Sequence, residues 1–199
     1  MRRDALSAAR LISDLFSPPV IWATLAFPMA FREASSTGQA LTWALTYGVL
    51  VCLVPVTFIG LMVWRGRITD IHIQVRRQRI IPFVVSLLCT ALAWLVLRLM
   101  GAPSLFQLLP LFTLIQIAVM LVVTFVWQIS MHTMSITGAV VATGALFGPT
   151  PALLLSPLIP LVAAARLKLH RHSPAEVIAG GLVGGLVTIL LIVIVNPPL

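Results

Sequence analysis

Charge is scarce in this 199-residue chain, where only 9% of the residues are Asp, Glu, Lys or Arg, against about a quarter in a soluble domain. Acids are scarcest of all. Asp4, Asp14, Glu33, Asp70 and Glu176 are the only five, too scattered for the paired Asp-rich motifs with which an enzyme holds magnesium. The two cysteines, Cys52 and Cys89, fall in apolar stretches and read as small core residues. A disulfide is not expected, and no zinc-ligand spacing exists. What remains is oily: 60% of the residues are hydrophobic and the mean hydropathy is +1.09. These values predict a multi-pass integral membrane protein. The first ten residues, Met-Arg-Arg-Asp-Ala-Leu-Ser-Ala-Ala-Arg, lead into an apolar segment without a small-residue cleavage site, so no removable signal peptide is expected.

A helix needs about 20 apolar residues to cross the bilayer core. Segments 11–31, 40–64, 81–100, 105–128 and 174–195 meet or approach that length. Two shorter ones lie between 133 and 165, separated by Gly148-Pro149-Thr150-Pro151. The second contains Ser156-Pro157 and Pro160 and is expected to be kinked or partly unwound, as buried helices at membrane depth can be. The expectation is an all-α, polytopic membrane helical bundle of six or seven transmembrane helices, seven being favoured. It forms one integral membrane domain over 1–199, with no soluble domain, repeat or flexible linker.

Twelve arginines and one lysine give a net charge of +8 and divide sharply between the connections. One set holds Arg2, Arg3 and Arg10, then Arg65, Arg67, Arg76, Arg77 and Arg79, then Arg166, Lys168 and Arg171. The other holds Arg32 with Glu33, Arg98, and the uncharged 148–151 and 196–199. With seven spans the first set falls on the side of the N-terminus, which the positive-inside rule places in the cytoplasm, with Leu199 outside. Arginines kept for phosphate binding would inflate this bias, but Arg2, Arg3 and Arg10 escape that objection.

The same parity gathers three polar segments at one membrane surface, and all four histidines lie in them. In 165–176, Ala-Arg-Leu-Lys-Leu-His-Arg-His-Ser-Pro-Ala-Glu, the spacing Arg166-x5-His172-x3-Glu176 groups a fixed cation, a titratable nucleophile or base, and a carboxylate. Those parts can hold a phosphate, attack it and orient the attacking imidazole. The structural alternative is a capping box, with Ser173 at N-cap, Pro174 at N1 and Glu176 at N3. In 128–132, Ser130 offers a hydroxyl to a phosphate oxygen and His132 a proton to a leaving alkoxide; alternatively they are interfacial polar residues. The loop 65–82 holds five arginines with Asp70 and His72. Guanidinium forks suit phosphate or diphosphate, and a basic juxtamembrane loop equally suits anionic headgroups.

The order of these motifs resembles the type 2 phosphatidic acid phosphatase superfamily, which includes lipid phosphatases and vanadium haloperoxidases. That family carries Lys-x6-Arg-Pro, then Pro-Ser-Gly-His, then Ser-Arg-x5-His-x3-Asp. Residues 166–176 reproduce the third spacing, with Glu176 for Asp and Ala165 for the preceding Ser. Ser130-Met131-His132 keeps the Ser and His of the second, with Ile129 and Met131 in place of Pro and Gly. His72-x6-Arg79 keeps the spacing of the first, with His for Lys and Ile80 for Pro. The resemblance covers about 65–180.

The resemblance implies a membrane phosphatase that hydrolyses a lipid or polyprenyl phosphate through a phosphohistidine, without metal or other cofactor. It implies that His172 attacks phosphorus while Glu176 orients it. It implies that His132 protonates the leaving alcohol, and that Arg166, Arg79 and Ser130 bind phosphate oxygens, with Arg76, Arg77 and His72 beside them. The expected partners are that substrate and membrane lipids, not nucleic acid. Two other functions stay open. A non-catalytic protein could bind or transport a phosphorylated lipid. A membrane prenyltransferase is the other, because Arg77-Gln-Arg-Ile-Ile-Pro is similar to the tail of its diphosphate-binding loop, although Asp70 is the only Asp nearby.

Overall fold

The computed structural model describes residues 2–195, and every regular element among them is helical. The tail 196–199, and with it the expected position of Leu199, lies outside the described residues. In chain order the helices are α1 (Arg2–Leu15), α2 (Pro18–Glu33), α3 (Thr37–Tyr47), α4 (Val54–Trp64), α5 (Ile80–Leu99), α6 (Ser104–Thr124), α7 (Met131–Phe147), α8 (Pro149–Leu155), α9 (Leu158–Lys168) and α10 (Pro174–Val195). A π-helical turn, Gly48–Leu53, joins α3 to α4, and a 3-10 turn, Arg76–Arg79, leads into α5.

Helix is the form that satisfies every backbone polar group within one apolar segment. Among the described residues, five stretches are long and apolar enough to cross a membrane: Thr37–Trp64, Arg76–Leu99, Ser104–Thr124, Pro149–Lys168 and Pro174–Val195. The broken pair of Leu6–Leu15 and Pro18–Glu33 makes a sixth if counted as one span, and Met131–Phe147 is a shorter apolar helix. The chain is therefore an all-helical, polytopic membrane protein.

Two helix breaks refine the expected spans. The segment 11–31, read as one run, is interrupted at Phe16 and Ser17. Pro18 and Pro19 have no amide hydrogen to continue α1, and the Ser17 amide turns instead to the Asp14 carbonyl at 3.2 Å. The interruption expected near Ser156-Pro157 is present, since α8 ends at Leu155 and α9 begins at Leu158.

The chain divides into two compact units, one of Met1–Ile21 with Ile129–Leu199, the other Trp22–Gln128. The second unit is organised around α5 and α6. Its core includes Phe106, Leu109, Phe112 and Met120, all at most 1% exposed. Trp43 and Phe106 stack at a tilt, 5.9 Å between centroids, and the buried Tyr47 hydroxyl shares a 2.7 Å hydrogen bond with Thr113.

The first unit is organised around α7 and α10, whose backbones touch. A Cβ added to Gly180 would collide with the Ser130 carbonyl, and one added to Gly184 with the Met134 carbonyl. Glycines four apart let two membrane helices approach this closely. Because 180 meets 130 while 184 meets 134, α7 and α10 run parallel, with their N-termini side by side. α8 and α9 carry the chain back between them, returning Arg166 to that same end.

Candidate site at the paired helix N-termini

Local capping explains why Arg166 and His172 sit at a fixed interval. After α9 the Arg171 amide bonds to the Arg166 carbonyl at 3.1 Å and the His170 amide to the Leu167 carbonyl at 3.0 Å. This crossed pair is a Schellman turn, and its left-handed position, usually glycine, is taken by His170 at φ 53°. The turn closes on the backbone of Arg166 and delivers His172 two residues further on. Next comes the capping box: the Glu176 amide donates to Ser173 Oγ at 3.4 Å, and the Ser173 amide to Glu176 Oε2 at 2.9 Å. That same Oε2 lies 3.1 Å from His172 Nδ1.

Capping and orientation are therefore not rivals here. One carboxylate oxygen caps the helix and stands 3.1 Å from the imidazole Nδ1; in the neutral imidazole that donates there, Nε2 is the nitrogen with a lone pair. The His172 side chain is 1% exposed, that of Glu176 22%.

Ser130 begins α7 as its N-cap, Oγ accepting from the Thr133 amide at 3.4 Å. As an acceptor in that bond, the hydroxyl keeps its own proton to donate. The Ser130 amide reaches the Glu176 carbonyl at 3.0 Å, and Thr133 Oγ1 donates to the Val177 carbonyl at 3.0 Å. The second and third polar segments are thus stitched together.

Ser13 of α1 ties in the remaining members. Arg166, the largest fully buried side chain, donates from Nη1 to Ser13 Oγ at 2.7 Å. His132 Nε2 lies 3.2 Å from the Ser13 carbonyl and 3.5 Å from its hydroxyl. Ser13, His132 and Ser130 are all buried. Nothing in the motif spacing pointed to Ser13. The available signal was weaker: Ser13 stands beside Asp14 at the start of an otherwise apolar segment, and an ionisable residue at the edge of a membrane segment is a functional candidate.

His72, Arg76, Arg77 and Arg79 belong to the second unit. There Asp70 accepts from the His72 amide at 2.8 Å and the Gln74 amide at 3.3 Å. Gln78 Oε1 accepts from the Thr69 amide and hydroxyl at 3.1 and 3.0 Å. Gln128 Nε2 donates to the Gln74 carbonyl at 2.8 Å, and the buried Arg79 donates from Nε to the Ile73 carbonyl at 2.8 Å. His72 and Arg76 are half-buried, and Arg77 is exposed.

Among the described residues, no three His, Cys, Asp or Glu side chains stand close enough together to hold a metal ion. In the first unit a buried guanidinium, two histidines and two parallel helix N-termini share one end. Guanidinium donors and helix N-termini both favour an anion.

No protein-family model matches the chain, and no curated protein or solved structure is significantly similar to it.

Proposed function

We propose that this end of the first unit binds the phosphate of a lipid or polyprenyl phosphate and hydrolyses it through a phosphohistidine. One observation carries the reading. Arg166 and His132 converge on Ser13, while Glu176 Oε2 lies 3.1 Å from Nδ1 of His172, two residues past the turn that closes on Arg166 at His170.

In the first step His172 Nε2 attacks phosphorus, and the P–N bond forms as the ester P–O bond breaks. Glu176 accepts from Nδ1–H and stabilises the imidazolium that results. Protonated His132 gives its proton to the departing alkoxide. In the second step neutral His132 takes a proton from water, the hydroxide attacks phosphorus, and the P–N bond breaks to release inorganic phosphate. Arg166, the Ser130 hydroxyl and the paired N-termini stabilise charge on the phosphoryl oxygens. The resemblance of 165–176 to the third phosphatase motif supports the same assignment.

We place this end at the cytoplasmic surface, on the asymmetry of the arginines. A reporter fused after Leu199 is expected to report the opposite side, and a cytoplasmic signal there would reverse the orientation or the parity.

The hydrolase reading is tested by incubating purified protein with vesicles containing phosphatidic acid or a polyprenyl phosphate, in chelator. Phosphate release that disappears in His172→Ala is the expected result. Tight binding of these lipids with no release would favour a lipid-binding protein, and diphosphate release only with magnesium a prenyltransferase.

A further inference from the structure

Two donors of the proposed site, Arg166 Nη1 and His132 Nε2, both end on a single residue that no catalytic step uses. We infer that α1 is a displaceable gate, with the hydroxyl and carbonyl of Ser13 standing where two phosphate oxygens bind. This rests on the anion-site reading above.

Three features of the first unit support it. The first is the acceptor set. Ser13 Oγ takes Arg166 Nη1 at 2.7 Å and Ser13 O lies 3.2 Å from His132 Nε2. One residue thus supplies two oxygens to two donors, as a phosphate would. The carbonyl is available because the Ser17 amide has turned to Asp14, not Ser13.

The second is how few side chains of α1 are buried. Among its described side chains only Ala9 and Ser13 are buried, while Leu11 and Leu15 are 60% and 55% exposed. The Ser13 hydroxyl and carbonyl bonds are among those that attach it.

The third is a break immediately beyond the attachment. α1 ends at Leu15 and Pro18-Pro19 begin the next helix, so α1 can swing without unwinding its neighbour.

A buried guanidinium needs acceptors in every state of the protein. The Ser13 hydroxyl supplies a neutral one until an anion supplies a charged one in its place, and charge-assisted bonds between ions are the stronger. By reciprocity, whatever holds α1 down weakens phosphate binding.

The test is calorimetric titration of inorganic phosphate into the full-length protein in detergent, with hydrogen exchange of α1 read alongside. Ser13→Ala should bind phosphate about tenfold more tightly, the worth of one hydrogen bond to a charged donor. Arg166→Ala should abolish binding. In the unmutated protein, saturating phosphate should speed amide exchange across α1, a readout that stands even if Ser13→Ala fails to fold.

Equal or weaker phosphate binding by folded Ser13→Ala would overturn the gate. So would slower exchange of α1 with phosphate, or no phosphate binding at all. The expected shifts without hydrolysis of any lipid phosphate would overturn the hydrolase reading and keep the gate. His172-dependent hydrolysis without those shifts would do the reverse.

Discussion

The loop 65–79 and the paired N-termini of α7 and α10 look alike in sequence, since each mixes arginine, histidine and a carboxylate. They differ in where their polar groups turn. In the loop, Asp70, Gln78 and Arg79 make bonds to groups within nine residues of themselves, and Gln128 ties in the Gln74 carbonyl from the end of the same unit. At the helix N-termini, Ser13 meets His132 across 119 residues and Arg166 across 153. Bonds between near neighbours in sequence shape a stable turn. A network closed between distant elements exists only in the folded protein, so it can hold reactive groups in an arrangement that no unfolded segment reproduces.

The largest effects should come from the long-range network. His172→Ala should abolish phosphate release, because the covalent route has no other nucleophile at that spacing. His132→Ala should slow it by roughly two to four orders of magnitude, the usual contribution of a general acid. Glu176→Gln should slow it less while leaving the melting temperature nearly unchanged, because glutamine also serves at N3 of a capping box but cannot support an imidazolium. Full phosphate release by His172→Ala would erase the functional half of the comparison.

Smaller effects, on stability, should separate the helix pair from its surroundings. Gly184→Ala should cost about 1–3 kcal/mol as α7 and α10 are forced apart, read by thermal or detergent-induced unfolding. Gly60→Ala, where an added Cβ meets nothing within 4 Å, should be neutral or slightly stabilising. Equal effects at the two positions would mean that α7 and α10 are not in backbone contact.

Smaller still, Asp70→Ala should cost about 1 kcal/mol, like the loss of a helix cap, and leave phosphate release per folded molecule unchanged. A large loss of release would show that the loop does more than hold its own turn. Last, His170→Gly should stabilise the protein by up to about 1 kcal/mol, since glycine adopts the left-handed conformation freely.

The membrane class, the helical bundle and the triplet Arg166, His172 and Glu176 were all legible in the sequence, and for one reason. Each rests on local physics: apolar run length, the break at Ser156-Pro157 and the capping box of Ser173 and Glu176, whereas the break at Pro18-Pro19 and the Schellman turn, with His170 in place of the usual glycine, were not read from the sequence. The shared end of His132 and Arg166 was legible too, because the two short apolar segments between them, α7 and the α8–α9 pair, return the chain to its starting level. Sequence could not supply what depends on a second backbone. Gly180 and Gly184 read as ordinary helix residues until the carbonyls of Ser130 and Met134 lie against them. Ser13 is one hydroxyl in an apolar stretch, with partners in helices more than a hundred residues away. Only tertiary packing decided that it would lie between Arg166 and His132, because burying a guanidinium and an imidazole requires acceptors from whichever element the fold brings nearest.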